Sequence, residues 1–228
     1  MALTFDDIRE EFWQLLASDK QAMKLYKEIE AGRATYATAS AYSVRVGECL
    51  AKILKQHAPY ETIEEWDIDD LIPRSLGLNH NIVSKVCETV QQDMNKDARL
   101  GIRYQAPKFD GDRAFGIVQE LRDNPEFTNI EKTFYDQITN FTQNVVDDAI
   151  RANAGVMSSA GVKTYVIRTA EAGACKWCYA QEGRYPYDEV AEKGSDVWRR
   201  HENCHCTIDY VTERNGSTFS QRVNNYKN

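Results

Sequence analysis

Residues 175–178 read Cys-Lys-Trp-Cys and residues 201–206 read His-Glu-Asn-Cys-His-Cys. The chain holds only six cysteines and four histidines, and four of the former and two of the latter fall in these two runs. Each run adjoins a stretch of strand character. Residues 163–169 (KTYVIRT) lead toward the first and 205–211 (HCTIDYV) overlap the second, and both are rich in β-branched and aromatic residues. The stretch between them, GRYPYDEVAEKGSD, is punctuated by Gly183, Pro186 and Gly194 and reads as turns and loop. Two strands and a loop that carry all the clustered Cys and His residues make a small β unit at the C-terminal end.

Working outward from there, everything upstream reads as helix. A run over 127–153 places Phe134, Ile138, Phe141, Val145 and Ala149 on one side, at helical spacing. A shorter helix is expected over about 111–122, stopped by Asp123-Asn124-Pro125, and another over 80–98 carrying Ile82, Val83, Val86 and Val90. Ahead of it, EEWDIDDLIPRSLGLNHN reads as a polar, acidic turn. Thr4 with Asp7, Ser18 with Gln21 and Thr62 with Glu65 have the spacing of capping boxes. The first opens a helix with Phe5, Ile8, Phe12, Leu15 and Leu16 on one face. Gly32 is a natural stop for the second helix, and Ala58-Pro59 for the third, because a residue before proline avoids the helical region. The fold class is therefore α+β and predominantly helical, with a helical region over 1–100, a second unit over 101–212 that carries the Cys/His site, and a polar tail over 213–228.

Composition narrows the function. At 228 residues the chain is long enough to bury a core without covalent staples. Its net charge is −7, and residues 1–150 hold 17 Lys and Arg against 26 Asp and Glu, whereas 151–228 hold 11 against 9. Non-specific duplex binding rests on neutralising phosphates with excess cations, and no such excess exists here. No apolar run of about 18 residues is present, and MALTFDDIREEF lacks the basic-then-apolar pattern of a secretory leader. A reducing compartment is expected, in which clustered cysteines are metal ligands or catalytic groups more often than disulfides.

The spacing favours a metal. Cys-x-x-Cys aims two sulfurs at one ion from a tight turn, and a second pair some 20–30 residues on completes a tetrahedron. Cys175 and Cys178 supply the first half, while His201, Cys204 and Cys206 over-supply the second. His205 points away if Cys204 and Cys206 share one face of a strand. A redox Cys-x-x-Cys normally follows a strand in an α/β setting, which the helical first half does not provide. A zinc deaminase needs His-x-Glu upstream of Pro-Cys-x-x-Cys, and the order here is reversed. No phosphate loop, His-Glu-x-x-His or Gly-x-Ser-x-Gly occurs. The acidic residues Glu64, Glu65, Asp67, Asp69 and Asp70 lack the pattern of a calcium loop and read as a solvated face. Cys49 and Cys87 read as small buried apolar residues, His57 and His80 as groups at helix ends, and Arg199 and Arg200 as surface charge or contacts to phosphate or carboxylate.

The run ACKWCYAQEGRYPYDEV, a variable loop and then DVWRRHENCHCTIDYV together resemble the C-terminal signature of phage minor head proteins, the family named after protein F of phage Mu. Upstream, NFTQNVVDDAIRANAGVMSSAGVKTYVIRTAEAG is similar to the helix and strand that lead into that motif in proteins of phages and prophages of Gram-positive bacteria. The similarity covers about 120–211 well, 90–120 loosely and the first ninety residues hardly at all. Cys175, Cys178, His201, Cys204 and Cys206 match the family's Cys/His pattern, and Gly183 matches its turn glycine. Glu202-Asn203 stands where a proline is common.

What the resemblance implies is a particle component of the phage head and not an enzyme. Such a protein is made in the bacterial host cytoplasm and carried in the virion at low copy number. It would hold a structural Zn2+ and aid head morphogenesis, DNA packaging or ejection. The expected partners are the portal protein, with the major capsid protein and packaged DNA as further contacts, and neither a membrane nor a small-molecule substrate. No toxin domain of the kind fused to some relatives is expected. Tyr185, Tyr187 and Trp198 would then present an aromatic docking surface on the loop that the metal holds. Two other readings fit the same residues: a zinc-stabilised nucleic-acid-binding protein or nuclease, and an adaptor that uses zinc only to fold.

Overall fold

The computed structural model describes residues 3–57, 66–124, 130–201, 204–214 and 217–219. Six helices come first: α1 (Phe5–Ser18), α2 (Lys20–Glu30), α3 (Tyr36–His57), α4 (Ile68–Asp97), α5 (Gly111–Asp123) and α6 (Glu131–Ser159). The chain then alternates β1 (Lys163–Thr169), a short α7 (Lys176–Ala180), β2 (Gly183–Pro186) and α8 (Tyr187–Val190). One 3-10 turn at Asp196–Trp198 leads to β3 (Thr207–Arg214) and β4 (Ser217–Phe219). The class is α+β and mostly helical, with a small antiparallel sheet of order β2-β1-β3-β4 at the C-terminal end.

Local chemistry accounts for the helix ends. Thr4 caps α1 in a reciprocal box with Asp7. The start of α2 sits one residue later than the Ser18 spacing implied: Asp19 is the cap, its carboxylate accepting from the N–H groups of Gln21 and Ala22 at 2.9 Å. The hydroxyl of Ser18 instead donates to the Leu15 carbonyl. Asp also ion-pairs with Arg45 there, which a serine could not do. After α2, Gly32 takes φ +65° while the Arg33 N–H reaches back to the Glu28 carbonyl, the arrangement that closes a helix with a left-handed residue. Thr62, Glu64, Glu65, Ala58-Pro59 and Pro125 lie outside the described residues.

Helix α4 is the main departure from the sequence reading, since it begins at Ile68 and runs through Pro73. A proline inside a helix costs about 3 kcal/mol. Burial of Leu71, Ile72, Ser75, Leu76 and Asn79 on one side outweighs that cost, with Asp67 as the cap and Asn79 bonded across to Thr142 of α6. His80 consequently sits mid-helix, its ring edge-on to Phe109, whereas His57 does end α3 and pairs with Glu11. Asp69 and Asp70 pair with Arg122 and Arg74 on the exposed face, and Cys49 and Cys87 are buried.

Helix α6 is the hub. Phe134, Ile138, Phe141, Val145 and Ala149 are all buried, and α3 lies so close that a Cβ on Gly47 would stand 2.8 Å from Thr139 Cα. One apolar cluster includes residues of α1 to α6 together with Val166, Ile208 and Tyr210 of the sheet. The sheet is thus an outer layer of the same core. Strand β1 came out at its expected bounds, but β2 and β4 were not foreseen, and β3 runs over Thr207–Arg214 where 205–211 was expected.

Asp209 on β3 carries a carboxyl that burial pushes up to about 7, against a 2.7 Å hydrogen bond from the Tyr210 N–H that favours ionisation. A carboxyl raised in the folded state weakens the fold once it ionises. The penalty is absent below the ordinary value of 3.8, grows as pH rises and is complete above about 7. Asp209→Asn should therefore add up to about 4 kcal/mol of stability near pH 8 and almost nothing near pH 3.5. Urea unfolding of both proteins at the two pH values checks this.

Candidate metal centre

The two Cys/His runs meet at one end of the sheet. Strand β1 ends at Thr169, and a turn closed by the Ala174 N–H on the Glu171 carbonyl, with Gly173 at φ +85°, reverses the chain. Cys175 then stands extended as the cap of α7, its Sγ accepting from the Cys178 N–H at 3.4 Å. One helical turn carries Cys178 beside it. On the other run the two-residue period of the approach to β3 places Cys204 and Cys206 inward, both buried, and His205 outward, exposed.

Five donors gather here, and the structure divides them into two triads that share Cys178. Cys175, Cys178 and His201 form one, and Cys178, Cys204 and Cys206 the other, with all ligand atoms in each triad within 4.8 Å of one another. The Nε2 of His201 lies 3.3 Å from Cys175 Sγ and 2.9 Å from Cys178 Sγ. Cys178 Sγ lies 3.8 Å from Cys204 Sγ. Such a cluster could bind a metal ion, and Cys178 is the donor common to both triads. Glu202 and Asn203, between the ligands of the second run, lie outside the described residues.

The sulfurs differ in their electrostatics, and burial pushes the Cys178 thiol up. The Cys175 thiol is held below its ordinary value, chiefly by the Cys178 backbone N–H. A hydrogen bond from Cys204 holds Cys206 down to about 7, while the same bond and burial push Cys204 up. The edge of the Trp177 ring packs on His201, centroids 5.9 Å apart, and the Asn140 amide on α6 donates to the His201 carbonyl at 3.1 Å.

Arg200 ties this centre to the helices. Its Nε and one Nη donate to the two Asp147 carboxylate oxygens at 2.6 and 2.8 Å. The other Nη donates to the Cys206 carbonyl at 2.8 Å and the Cys204 carbonyl at 3.4 Å. The two side chains are 1% and 4% exposed. Arg199, its neighbour, is exposed and pairs locally with Asp196. The sequence suggested a carboxylate contact for either arginine without saying which one or with what. Arg168, a fully buried guanidinium against the sulfurs, was not singled out at all. Its only sequence signal is an arginine on the inward phase of β1, in step with Thr164 and Val166.

The expected aromatic surface does not form. Trp198 is buried, its indole N–H on the Val190 carbonyl. The hydroxyls of Tyr185 and Tyr187 turn back to the carbonyls of Gln181 and Arg151. Tyr187 is seated against Gly155, where a Cβ would meet its hydroxyl at 2.7 Å. The reason is β2: residues 183–186 pair with β1, which half-buries Tyr185, and the segment after them lies on the helices, which half-buries Tyr187 and buries Trp198. Gly183, expected as a turn glycine, is the first residue of that strand.

Compared with known proteins, the chain matches no family model, no curated protein and no solved structure.

Two outcomes follow for this region. Asp147→Ala leaves Arg200 buried without its carboxylate and should cost about 3 kcal/mol in urea unfolding. A chelator should loosen the segments 170–180 and 199–206 around a metal-loaded cluster while helices α1 to α6 and strands β1 and β3 keep their amide protection, as read by hydrogen exchange with and without EDTA. Equal protection in both samples would count against a metal-held unit.

Proposed function

We propose that this chain is a phage minor head protein, a portal-associated particle component that aids head morphogenesis and the packaging or ejection of DNA. It acts as a structural part and not as an enzyme. The observation that carries the reading is the Cys-x-x-Cys…His-x-x-Cys-x-Cys combination, laid on a strand, short helix and strand directly after a long helix. Each half of that motif alone is weak, and their joint placement around one point makes the resemblance specific.

The ion proposed is zinc. Thiolates and imidazole are borderline-soft donors that suit it and disfavour magnesium or calcium. A tetrahedron with zinc–sulfur bonds of about 2.3 Å has sulfur–sulfur edges of about 3.8 Å, the separation of Cys178 and Cys204. With five donors for four positions, all could come from the protein, which is the composition of a structural site. When bound, the ion would supply a cross-link between the two runs. The residues themselves then hold the loop 183–198 against α6, so that a defined surface is offered to the head.

No comparable support exists for the nucleic-acid reading, because the chain is acidic overall and steep salt-dependent binding needs an excess of cations. Quantitative mass spectrometry of particles purified after prophage induction tests the proposal. A fixed ratio far below one copy per major capsid subunit is expected. Reproducible absence from intact heads would remove the chain from the virion.

A further inference from the structure

Arg168 is a charge without a carboxylate. It lies on β1, is 1% exposed, and ranks first by size among the fully buried side chains. Of its three nitrogens, Nη1 donates to the carbonyls of Val197 at 2.7 Å and Arg199 at 2.8 Å, with Asp196 at 3.4 Å. Nη2 points at two sulfurs, Cys178 Sγ at 3.8 Å and Cys204 Sγ at 3.7 Å. The face of the guanidinium stacks over Trp177, 5.2 Å from the ring centroid. Among the described residues no Asp or Glu pairs with it. The nearby Arg200, equally buried, does have one in Asp147.

A buried guanidinium needs a compensating negative charge, since carbonyl dipoles and a ring face do not supply a whole one. The groups in contact with Arg168 that are able to carry it are the two sulfurs. We infer that Arg168 is the counter-charge of the metal–thiolate group, and that its contacts make Cys178 and Cys204 the two obligatory ligands among the five candidates. The inference rests on the metal reading and adds to it a residue outside the Cys/His motif. A zinc ion with three thiolates and one neutral imidazole carries one net negative charge, and with four thiolates two. The guanidinium brings these totals to zero or to minus one. In either case the charge left in the buried cluster is small. The same N–H groups fix the two sulfurs in place before an ion arrives, which is how outer partners of metal ligands usually raise affinity. Cys175, His201 and Cys206 lack this contact and are the donors that compete for the remaining positions.

The test uses the full chain. Zinc affinity is measured by chelator competition for the wild type, Arg168→Met and Arg168→Lys, and sulfur–metal charge-transfer bands are recorded after Co2+ substitution. Far-ultraviolet circular dichroism monitors the helices. The methionine variant should keep its helices and lose about 10- to 100-fold in zinc affinity. The lysine variant, which keeps the charge but not the planar fork, should recover part of the loss. It should also shift the Co2+ bands, which a purely structural role would leave alone. A methionine variant that folds and binds zinc as tightly as the wild type overturns the inference.

Should both variants fail to fold, single ligand variants that keep Arg168 still decide: Cys204→Ser should abolish binding that Cys206→Ser only weakens. Equal losses, or the reverse order, would overturn the assignment. A wild type that binds no zinc or Co2+ would remove the metal reading itself, and this inference with it.

Discussion

The buried pairing of Arg200 with Asp147 is the constraint around which the C-terminal third is arranged. Asp147 sits on α6, the helix that touches α3, α4, α5, α8, β1 and β3, and its carboxylate has no access to water. An ion pair so placed adds little net stability compared with apolar residues of the same volume, but breaking it strands a charge. The loop that carries Arg200 is therefore held in one position. The spare N–H groups of the same guanidinium fall on the carbonyls of Cys204 and Cys206, so the position of two candidate ligands is set from the helical core.

Around that anchor, apolar burial organises the sheet and the Cys/His cluster lies beyond it. Val166, Ile208 and Tyr210 extend the helical core into the sheet, and the sheet needs no ion to be attached there. Beyond them the apolar residues run out, and Cys178, Cys204 and Cys206 form a separate small cluster with Ala170, Ala174 and Trp177. Few side chains remain at that end to order the turn, α7 and the approach to β3. A bound ion would cross-link these three segments where hydrophobic contacts cannot. Arg168 and Arg200 flank the cluster, one against its sulfurs and the other, neutralised by Asp147, against its carbonyls.

Much of the architecture was legible in short-range pattern. Thr4 with Asp7, Gly32 and the apolar spacing of 134–149 located helix ends and faces, because capping and amphipathicity are settled within a turn or two. Strand β1 was legible for the same reason: a half-buried strand with β-branched residues shows its period in seven positions. The cluster was legible as five residues in two runs, since ligand spacing is a local property. Pro73 and the acidic residues before it hid the first three turns of α4, where burial against the other helices overrode the local cost. The Gly and Pro residues of 183–194 hid β2, which gains its order from pairing with β1.

The amino-acid sequence by itself determined most of the long helices and the strands β1 and β3, the order helix-then-sheet, and the identity of the candidate ligands. Each of these depends on residues a few positions apart, where periodicity, caps and Cys/His spacing act. Only the tertiary structure decided which groups share the ligands' surroundings. Cys178 became the donor common to both triads, Arg200 found Asp147 across 53 positions, and Arg168 met the sulfurs of Cys178 and Cys204. For the same reason Trp198 turned inward while Tyr185 and Tyr187 are half-buried. Burial of charge and of rings is a property of the whole packed molecule, and nothing in a short stretch of sequence records what will lie opposite.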